Sequence, residues 1–350
     1  MATAEYRQDF YHMLKSQQFR VADIQRFLRT AAEAADIWQR NGDPQLQGCW
    51  AVNWFDQQST RTHTSHSIAE QMLGMRIALD AANASQTTSA GKGETLRDTI
   101  RTFESMVPDP SKMVIVIRHP NAKAAEIMAA AAKGAHVINA GCGKFNGQHV
   151  TQAAQDTLAM FNYGRDRGLV DIDTIGPAGL SRRRKPFKVL MCGDLRNGRT
   201  VRSLSYMLPK IFPWVELFYC SPPSLTMGDD ILAYLRRHKV RFHVIDQPRR
   251  FPALVTKVNV LYCTRFQKED LVAADLNRFD QYQRLFRVDA ALVSTMKDDA
   301  KIFHPMPRNE ELQPDVDDLP QAAYLPDQVR EGVIARMALL LMIMRNRKHR

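Results

Sequence analysis

Short apolar runs alternate with longer amphipathic segments along most of the chain. The runs predict strands in two series, at residues 49–55, 75–82, 113–119 and 135–140, and then at 188–194, 214–220, 241–246, 258–264 and 301–307. Strands rich in Val and Ile, about a helix length apart, are typical of parallel sheets covered by helices on both faces. The pattern therefore predicts an α/β fold with two doubly wound parallel-sheet domains.

Two helical segments stand outside this alternation. Residues 152–169 predict a long helix that ends near Gly164, between the two series of strands. The segment after Pro326 begins with an acidic residue and ends in cations, which suits the dipole of a C-terminal helix. We therefore expect interdomain helices to join the two domains.

Composition narrows the classes of protein. The chain has 350 residues, enough for about two domains, and its five cysteines are widely spaced without a C-x-x-C pair. Such cysteines indicate a reducing compartment, so we expect a cytoplasmic protein without a metal site. The N-terminal residues lack the apolar core of a signal peptide, and the apolar run at residues 337–344 is too short to span a bilayer.

The formal net charge of the chain is +11. An excess of cations favours an anionic partner: a nucleic acid, a membrane surface, or a small phosphorylated or carboxylated substrate. The basic clusters at residues 182–185 and 345–350 are more typical of a solvated loop and a chain end, and no RNA-binding motif accompanies them. We therefore expect a small anionic substrate, and neither nucleic acid nor membrane.

Polar side chains follow six of the predicted strands. These polar segments are residues 58–62, 118–119, 141–152, 193–200, 264–270 and 304–308. In an open parallel sheet, ligands bind outside the carboxyl ends of the strands, where loops diverge and helix N-termini point inward. The polar segments therefore predict a ligand site at each sheet's carboxyl edge.

The segment STRT, residues 59–62, predicts the start of a helix. Ser59 is a plausible N-cap, and the apolar positions that recur at helical spacing are Ile68, Met72 and Met75. The first-turn N–H groups, the hydroxyls and the Arg61 guanidinium would suit a phosphate, although an ordinary capped helix is an equal alternative. His63 and His66 stand three apart, as metal ligands can, but without an acidic or cysteine neighbour we favour surface or internally hydrogen-bonded histidines.

Seven motifs follow one another along the chain. They are STRT (59–62), GKGETLRDT (91–99), VIRHP (116–120), INAG with QHVTQ (138–152), GDLRNGRTVRSL (193–204), LYCTRFQKE (261–269) and HPMPR (304–308). Together they resemble the aspartate/ornithine carbamoyltransferase family, and its aspartate branch in particular. The resemblance implies a carbamoyl-phosphate-binding domain at residues 1–150, completed by the C-terminal helix 326–350, and an aspartate-binding domain at residues 151–325.

The resemblance also implies an activity. Members of the aspartate branch transfer the carbamoyl group of carbamoyl phosphate to the amino group of L-aspartate, for pyrimidine biosynthesis, without a metal or cofactor. Negative charge develops on the carbamoyl oxygen and on the departing phosphate, so the site needs converging donors. The residues implied to bind carbamoyl phosphate are Ser59, Thr60, Arg61, Thr62, Arg118, His149, Gln152, Met306 and Pro307.

Individual roles follow from the same resemblance. His149 would polarise the carbamoyl oxygen, and the other residues implied in catalysis are Arg118, Thr62, Arg61 and Lys92. The residues implied to bind aspartate are Thr88 or Ser89, Lys92, Arg199, Thr200, Arg265 and Gln267. Lys92 resembles the lysine that family members insert into a neighbouring subunit's site, which implies a homotrimer with shared active sites.

Four positions depart from the usual pattern of the aspartate branch. Gln57 and Asp270 stand where glutamate and arginine usually help to bridge the two domains, and His63 and Val150 replace an arginine and a proline. These departures leave two alternatives open: a different amino acceptor, such as ornithine or a derivative, and a non-catalytic anion-binding homologue. TRFQ and HPMPR favour aspartate. A separate regulatory or pathway-enzyme subunit is also open.

Overall fold

Each of the nine predicted strands forms in the computed structural model, which describes residues 10–57, 59–144, 146–176, 185–268 and 271–345. The strands are β1 Trp50–Phe55, β2 Arg76–Ala82, β3 Met113–Arg118, β4 His136–Asn139, β5 Phe187–Cys192, β6 Val215–Cys220, β7 Arg241–Ile245, β8 Val260–Cys263 and β9 Lys301–Phe303. Most of them end before the polar residues that follow. β9 in particular stops at Phe303 rather than Pro307, because the polar residues belong to the loops.

The strands form two all-parallel sheets, of order β2-β1-β3-β4 and β7-β6-β5-β8-β9. In each sheet the order reverses at one place, between β1 and β3 in the first and between β5 and β8 in the second. Loops leave such a switch point in opposite directions, which opens a crevice for a ligand. The predicted α/β fold with two parallel sheets is confirmed.

Helices connect the strands. In chain order they are α1 Val21–Gln39, α2 Thr60–Met72, α3 Ala84–Thr87, α4 Leu96–Ser105, α5 Ala124–Ala131, α6 Val150–Asp166, α7 Arg199–Ile211, α8 Asp229–Arg237, α9 Phe251–Val255, α10 Ala273–Leu276, α11 Phe279–Leu285, α12 Ala290–Val293 and α13 Asp327–Arg345. The predicted linking helix is α6, which begins at Val150 and continues past Gly164. None of the helices among the described residues is long and apolar enough to cross a membrane.

The chain divides into two compact units. The first comprises Met1–Leu158 with Arg330–Arg350, and the second comprises Ala159–Val329. Both divisions fall inside helices, one in α6 and one in α13. The domain limits expected at residues 150 and 325 stay a prediction, because a division by compactness does not assign ligands to the domains.

Each unit has its own apolar core. Side chains of the central strands are fully buried in both, including Val52 and Ile115 in the first unit and Leu190 and Leu261 in the second. The apolar run of α13, residues 337–344, is likewise buried throughout. All five cysteines are buried, and none of them forms a disulfide. Burial of both faces of the central strands explains their nearly continuous apolar sequence.

Candidate active site

The loop after β1 leads into the first turn of α2. The helix begins after Ser59, whose carbonyl accepts the N–H of His63 at 3.0 Å. The Ser59 side chain makes no capping hydrogen bond, so its predicted position is right and the predicted side-chain cap is wrong. The N–H groups of Thr60, Arg61 and Thr62 have no acceptor within the helix, and the positive end of the helix dipole lies there. This turn is therefore suited to an anion.

Three functional groups meet at the switch point of the first sheet. Nε2 of His149 lies 3.3 Å from Oγ1 of Thr62 and 3.3 Å from Nη1 of Arg118. Thr62 comes from α2, Arg118 ends β3, and His149 immediately precedes α6. The register pairs Phe55 of β1 with Arg118, so the loops after these two strands leave the sheet side by side.

The backbone contact of His149 favours one tautomer of its ring. Its Nδ1 accepts the backbone N–H of Gln152 at 3.3 Å, and a ring nitrogen that accepts carries no proton. The neutral tautomer that keeps this bond carries its proton on Nε2, the nitrogen beside Thr62 and Arg118. Since a guanidinium only donates, the 3.3 Å approach of Arg118 to Nε2 is then a contact between two donors and not a hydrogen bond. His149 and Arg118 consequently present donors to the same point, where an acceptor oxygen would bind.

Gly141 makes room for this arrangement. Its φ is +112°, a conformation that favours glycine, and an added Cβ would lie 3.0 Å from Cδ2 of His149 and 3.2 Å from Nη1 of Arg118. A side chain here would displace both groups.

Gln152, one turn into α6, is oriented by a buried carboxylate. Its Nε2 donates to Oδ1 of Asp156 at 2.8 Å, and Asp156 is fully buried. A carboxylate only accepts, so the amide nitrogen faces Asp156 and the amide oxygen points elsewhere. Asp156 also faces the buried Arg336 of α13, whose Nη1 donates to Gln155 at 3.1 Å. Burial lowers the pKa of Arg336 to about 10, an effect that Asp156 opposes.

The buried face of α2 differs from the prediction. Ile68 is 39% exposed and Met75 lies beyond the helix, which ends at Met72, so these positions are not the apolar face. The buried side chains of α2 are Thr62, His66, Ala69 and Glu70. Polar groups occupy this face because β1 offers one of their partners: Asn53 donates to Oε2 of Glu70 at 2.8 Å.

The two histidines of α2 also differ from the prediction. His66 is fully buried, and within the described residues neither of its ring nitrogens has a hydrogen-bond partner. Burial, followed by the charge of Arg336, lowers the pKa of His66 well below its usual value, so the ring is neutral. His63 has an acidic neighbour from another strand, since its Nε2 lies 2.5 Å from Oδ1 of Asp80 in β2. The described residues contain no group of His, Cys, Asp or Glu arranged to hold a metal.

Two of the remaining predicted residues of the first unit, Arg61 and Lys92, are exposed. Arg61 is exposed at the start of α2, and its partial burial lowers the pKa of its guanidinium. Lys92 is exposed at the end of a 3-10 helix, Ser89–Lys92, and no ion pair or hydrogen bond joins it to the described part of the chain. The Thr88 hydroxyl donates to the carbonyl of Ala84 at 2.5 Å. The Ser89 side chain lies outside the described residues.

In the second unit, Arg199 and Thr200 begin α7, after the loop that follows β5. Asp194 shapes this loop, because its Oδ1 accepts the N–H of Asn197 at 3.0 Å and its Oδ2 accepts Nδ2 of Asn197 at 2.8 Å. Asp194 is thus a buried loop-forming residue, and it places Arg199 and Thr200, both half-buried, at the carboxyl end of β5.

Arg265 and Gln267 follow the neighbouring strand β8. Their loop is tied to the one after β5, since Oγ1 of Thr264 donates to the carbonyl of Cys192 at 2.9 Å. Gly193 allows this close approach: its φ is +100°, and an added Cβ would lie 2.2 Å from the Thr264 carbonyl. The two loops flank the switch point of the second sheet.

Met306 and Pro307 lie in the loop after β9. The Met306 N–H donates to Nδ1 of His304 at 2.8 Å, and His304 in turn donates from Nε2 to Glu311 at 2.9 Å. Met306 has φ +53°, an uncommon conformation for a residue with a side chain, which this hydrogen bond supports. Met306, Arg265 and Arg199 therefore follow three adjacent strands of one sheet.

Two family models match the chain. One, described as "Aspartate/ornithine carbamoyltransferase, carbamoyl-P binding domain", covers residues 11–162. The other, described as "Aspartate/ornithine carbamoyltransferase, Asp/Orn binding domain", covers residues 185–343. The chain belongs to the aspartate/ornithine carbamoyltransferase family.

Relatives of the chain agree with this assignment. It is 35% identical over 333 residues to aspartate carbamoyltransferase 1, chloroplastic, of Pisum sativum, covering 95% of this chain and 78% of the relative. It is 34% identical over 333 residues to the aspartate carbamoyltransferase catalytic subunit of Methanopyrus kandleri, covering 95% of this chain and 96% of the relative. A crystal structure of the aspartate transcarbamoylase of Trypanosoma cruzi with carbamoyl phosphate and aspartate matches with a TM-score of 0.78 at 31% identity, over 95% of each chain. The predicted resemblance is confirmed.

The departures from the usual carbamoyltransferase pattern lie in different places. Val150 begins α6, Gln57 is half-buried after β1, and His63 is paired with Asp80. Asp270 lies outside the described residues.

The motifs of the carbamoyltransferase family did not indicate Asp156, which accepts from the Gln152 amide, or Arg336, which donates to Gln155. The sequence held a signal for Asp156, since it stands four residues after Gln152 on the predicted linking helix. It held none for Arg336, which reaches Gln155 and Asp156 only through the tertiary fold.

Proposed function

We propose that this chain transfers the carbamoyl group of carbamoyl phosphate to the amino group of L-aspartate, giving N-carbamoyl-L-aspartate, a pyrimidine precursor, and phosphate. The observation that carries the proposal is the meeting of Thr62, Arg118 and His149 at one point, with Gln152 held by Asp156. The names of the relatives, and the two substrates bound to the Trypanosoma cruzi protein, support it.

The first unit provides the groups that the carbamoyl transfer needs. As the amine attacks the carbamoyl carbon, negative charge grows on the carbamoyl oxygen, where Nε2–H of His149, the Arg118 guanidinium and the Thr62 hydroxyl donate. The phosphate leaves as an anion, which the amides of the first turn of α2 and the Arg61 guanidinium stabilise. These donors stand in place before reaction, so little reorganisation is required of them.

Gln152 orients the carbamoyl nitrogen. Because its own nitrogen donates to Asp156, its amide oxygen accepts from the NH₂ of the carbamoyl group. The carbamoyl group is therefore recognised at both ends, by donors at its oxygen and by an acceptor at its nitrogen. Inorganic phosphate lacks the carbamoyl group and can therefore bind only to the donors at the start of α2.

The second unit provides the groups for the acceptor. Arg199 and Arg265 each bind one carboxylate of aspartate, because a guanidinium fork matches a carboxylate in geometry and charge. Thr200 and Gln267 lie next to them on the same two loops, and the backbone carbonyls of Met306 and Pro307 accept from the attacking amine. Two arginines favour a dicarboxylate over ornithine, which carries a second ammonium group.

Assembly is a separate part of the proposal. We propose a homotrimer in which Lys92, with Thr88 or Ser89, completes the site of a neighbouring subunit. The exposure of Lys92, and the absence of a partner for it within the described residues, support this role. A cytoplasmic location stays a proposal that the five buried cysteine thiols support, and a separate regulatory or pathway-enzyme subunit stays open.

The deciding experiment supplies carbamoyl phosphate with aspartate, ornithine and a panel of other amines, and follows phosphate release together with the carbamoylated product. We expect turnover with aspartate. Turnover with ornithine and none with aspartate would replace the proposed acceptor but keep the reaction class. No turnover with any amine, and no binding of carbamoyl phosphate, would favour the non-catalytic homologue.

A further inference from the structure

An unusual share of the chain's positive charge surrounds one edge strand. Residues 236–250, which we call the basic edge, hold six cations and one acidic residue, a net +5 of the chain's +11. The cations are Arg236, Arg237, Lys239, Arg241, Arg249 and Arg250. All six side chains are exposed, and no carboxylate pairs with any of them within the described ranges. The proposed reaction uses none of these residues.

The strand at the centre of this cluster has an open side. β7 is the outermost strand of the five-stranded sheet and pairs with β6 alone among the described strands. Four cations stand at its amino end, two from the end of α8, one from the following turn and the first residue of β7 itself, and Arg249 and Arg250 follow its carboxyl end. Its five residues extend about 16 Å, so the two groups of cations stand apart.

The middle of β7 has a different character. Val244 is 41% exposed, and the exposed His243 stacks on Phe218 with ring centroids 4.7 Å apart. Glu216 of β6 lies 2.8 Å from Nε2 of His243. An exposed strand edge with unpaired backbone groups and a β-branched side chain is suited to the addition of another strand.

The distribution of charge identifies the kind of segment that fits. Cations stand at the two ends of β7, whereas the exposed Asp246 directly follows the strand, before Arg249 and Arg250. A nucleic acid carries a phosphate at every nucleotide and would bring several of them close to Asp246 and to Glu216, which lies beside the middle of the strand. An extended polypeptide can carry carboxylates at its ends alone.

We propose that the basic edge binds an extended acidic segment of another protein. The segment adds a strand to the free side of β7, and its terminal carboxylates lie near the arginines that flank the strand. Backbone hydrogen bonds supply the register, and the flanking charges supply the preference for acidic ends.

The test uses a fluorescein-labelled peptide with glutamates at both ends and alternating valine and threonine between them, titrated with the full chain. We expect saturable binding that weakens as salt is added, because exposed charges are screened. The triple variant Arg236→Gln, Arg237→Gln, Arg241→Gln should bind at least about tenfold more weakly. A matched variant should bind the peptide as the wild type does. It changes three exposed cations of the first unit to Gln: Arg97, Arg101 and Lys133. Carbamoyl transfer by both variants reports that they are folded.

Three further results decide the matter. A peptide N-methylated along one edge should lose binding, and equal binding of this peptide would overturn strand addition. Equal affinity of the two triple variants would overturn the role of the basic edge. Tighter binding of a single-stranded oligonucleotide than of the acidic peptide would show that the cations serve a nucleic acid instead.

Discussion

The side-chain nitrogen of Gln152 donates a 2.8 Å hydrogen bond to the carboxylate of Asp156, one turn further along α6. This bond sets which end of the Gln152 amide is available to a ligand. Asp156 also compensates the buried charge of Arg336. One carboxylate therefore orients a proposed substrate contact and stabilises the fold.

Asp156→Asn tests both roles. Asparagine can donate as well as accept, so the Gln152 amide is no longer held in one orientation, and we expect KM for carbamoyl phosphate to rise by about tenfold. The buried Arg336 loses its counter-charge, so the free energy of unfolding in urea should fall by about 3 kcal/mol. Asp166→Asn, an exposed change on the same helix, should alter neither quantity. An unaltered KM would mean that Asp156 does not orient Gln152 toward the substrate.

His149→Ala should lower kcat by roughly 10²–10³, which is the usual loss when one donor to a developing oxyanion is removed. Steady-state kinetics with both substrates at saturation measure this change. The exposed His238 provides the control, and His238→Ala should leave kcat unchanged. A normal rate in His149→Ala would exclude the ring from the reaction.

Arg199→Gln should raise KM for aspartate by about a hundredfold, because a charge-assisted contact to one carboxylate is lost. Binding of carbamoyl phosphate alone, measured by calorimetry, should stay the same. The control is Arg196→Gln in the same loop, since Arg196 is exposed and donates to the carbonyl of Ser224 at 3.3 Å. Equal effects of the two changes would indicate a general electrostatic influence rather than a specific contact.

Lys92→Ala and Arg61→Ala should each be inactive alone and active when mixed. If Lys92 acts in a neighbouring subunit, a mixed trimer contains some sites with both residues intact, about a quarter of the total after random exchange. Dissociation and reassociation of the two purified variants, followed by assay, measures the recovery. Mixing Arg61→Ala with His149→Ala should restore nothing, because both residues belong to the same subunit's site. Absence of recovery in the first mixture would count against shared sites.

Glu70→Gln should change how stability depends on pH. Burial raises the pKa of Glu70 from its usual value near 4.5 to about 8, so the folded chain holds this proton more tightly than the unfolded chain. The resulting stabilisation is complete below pH 4.5 and is lost as the pH rises to about 8. Glutamine does not titrate.

Urea unfolding at two pH values measures this effect. The stability of Glu70→Gln relative to the wild type should increase by about 2–4 kcal/mol between pH 5 and pH 9. The exposed Glu310→Gln provides the control and should show no such change. A difference that stays constant with pH would mean that Glu70 is ionised in the folded chain throughout.

Local patterns were enough to predict the nine strands, the linking helix and the polar segments at the strand ends. A strand buried on both faces must be apolar along its length, and a turn that contacts a polar ligand must be polar. Both features can therefore be recognised from a short stretch of sequence. The motifs of the family then indicated residues such as Arg118 and His149, which stand at loop positions that the strands define.

Only the tertiary structure decided which groups face one another. The buried polar face of α2 depends on Asn53 from β1. His63 is paired with Asp80 from β2, and the charge of the buried Arg336 is opposed by that of Asp156. The free side of β7 follows from strand order, which no single segment specifies. Periodicity reports whether a side chain is buried. It does not report the partner, because partners come from strands and helices that are distant in the chain and are brought together by the topology of the sheets.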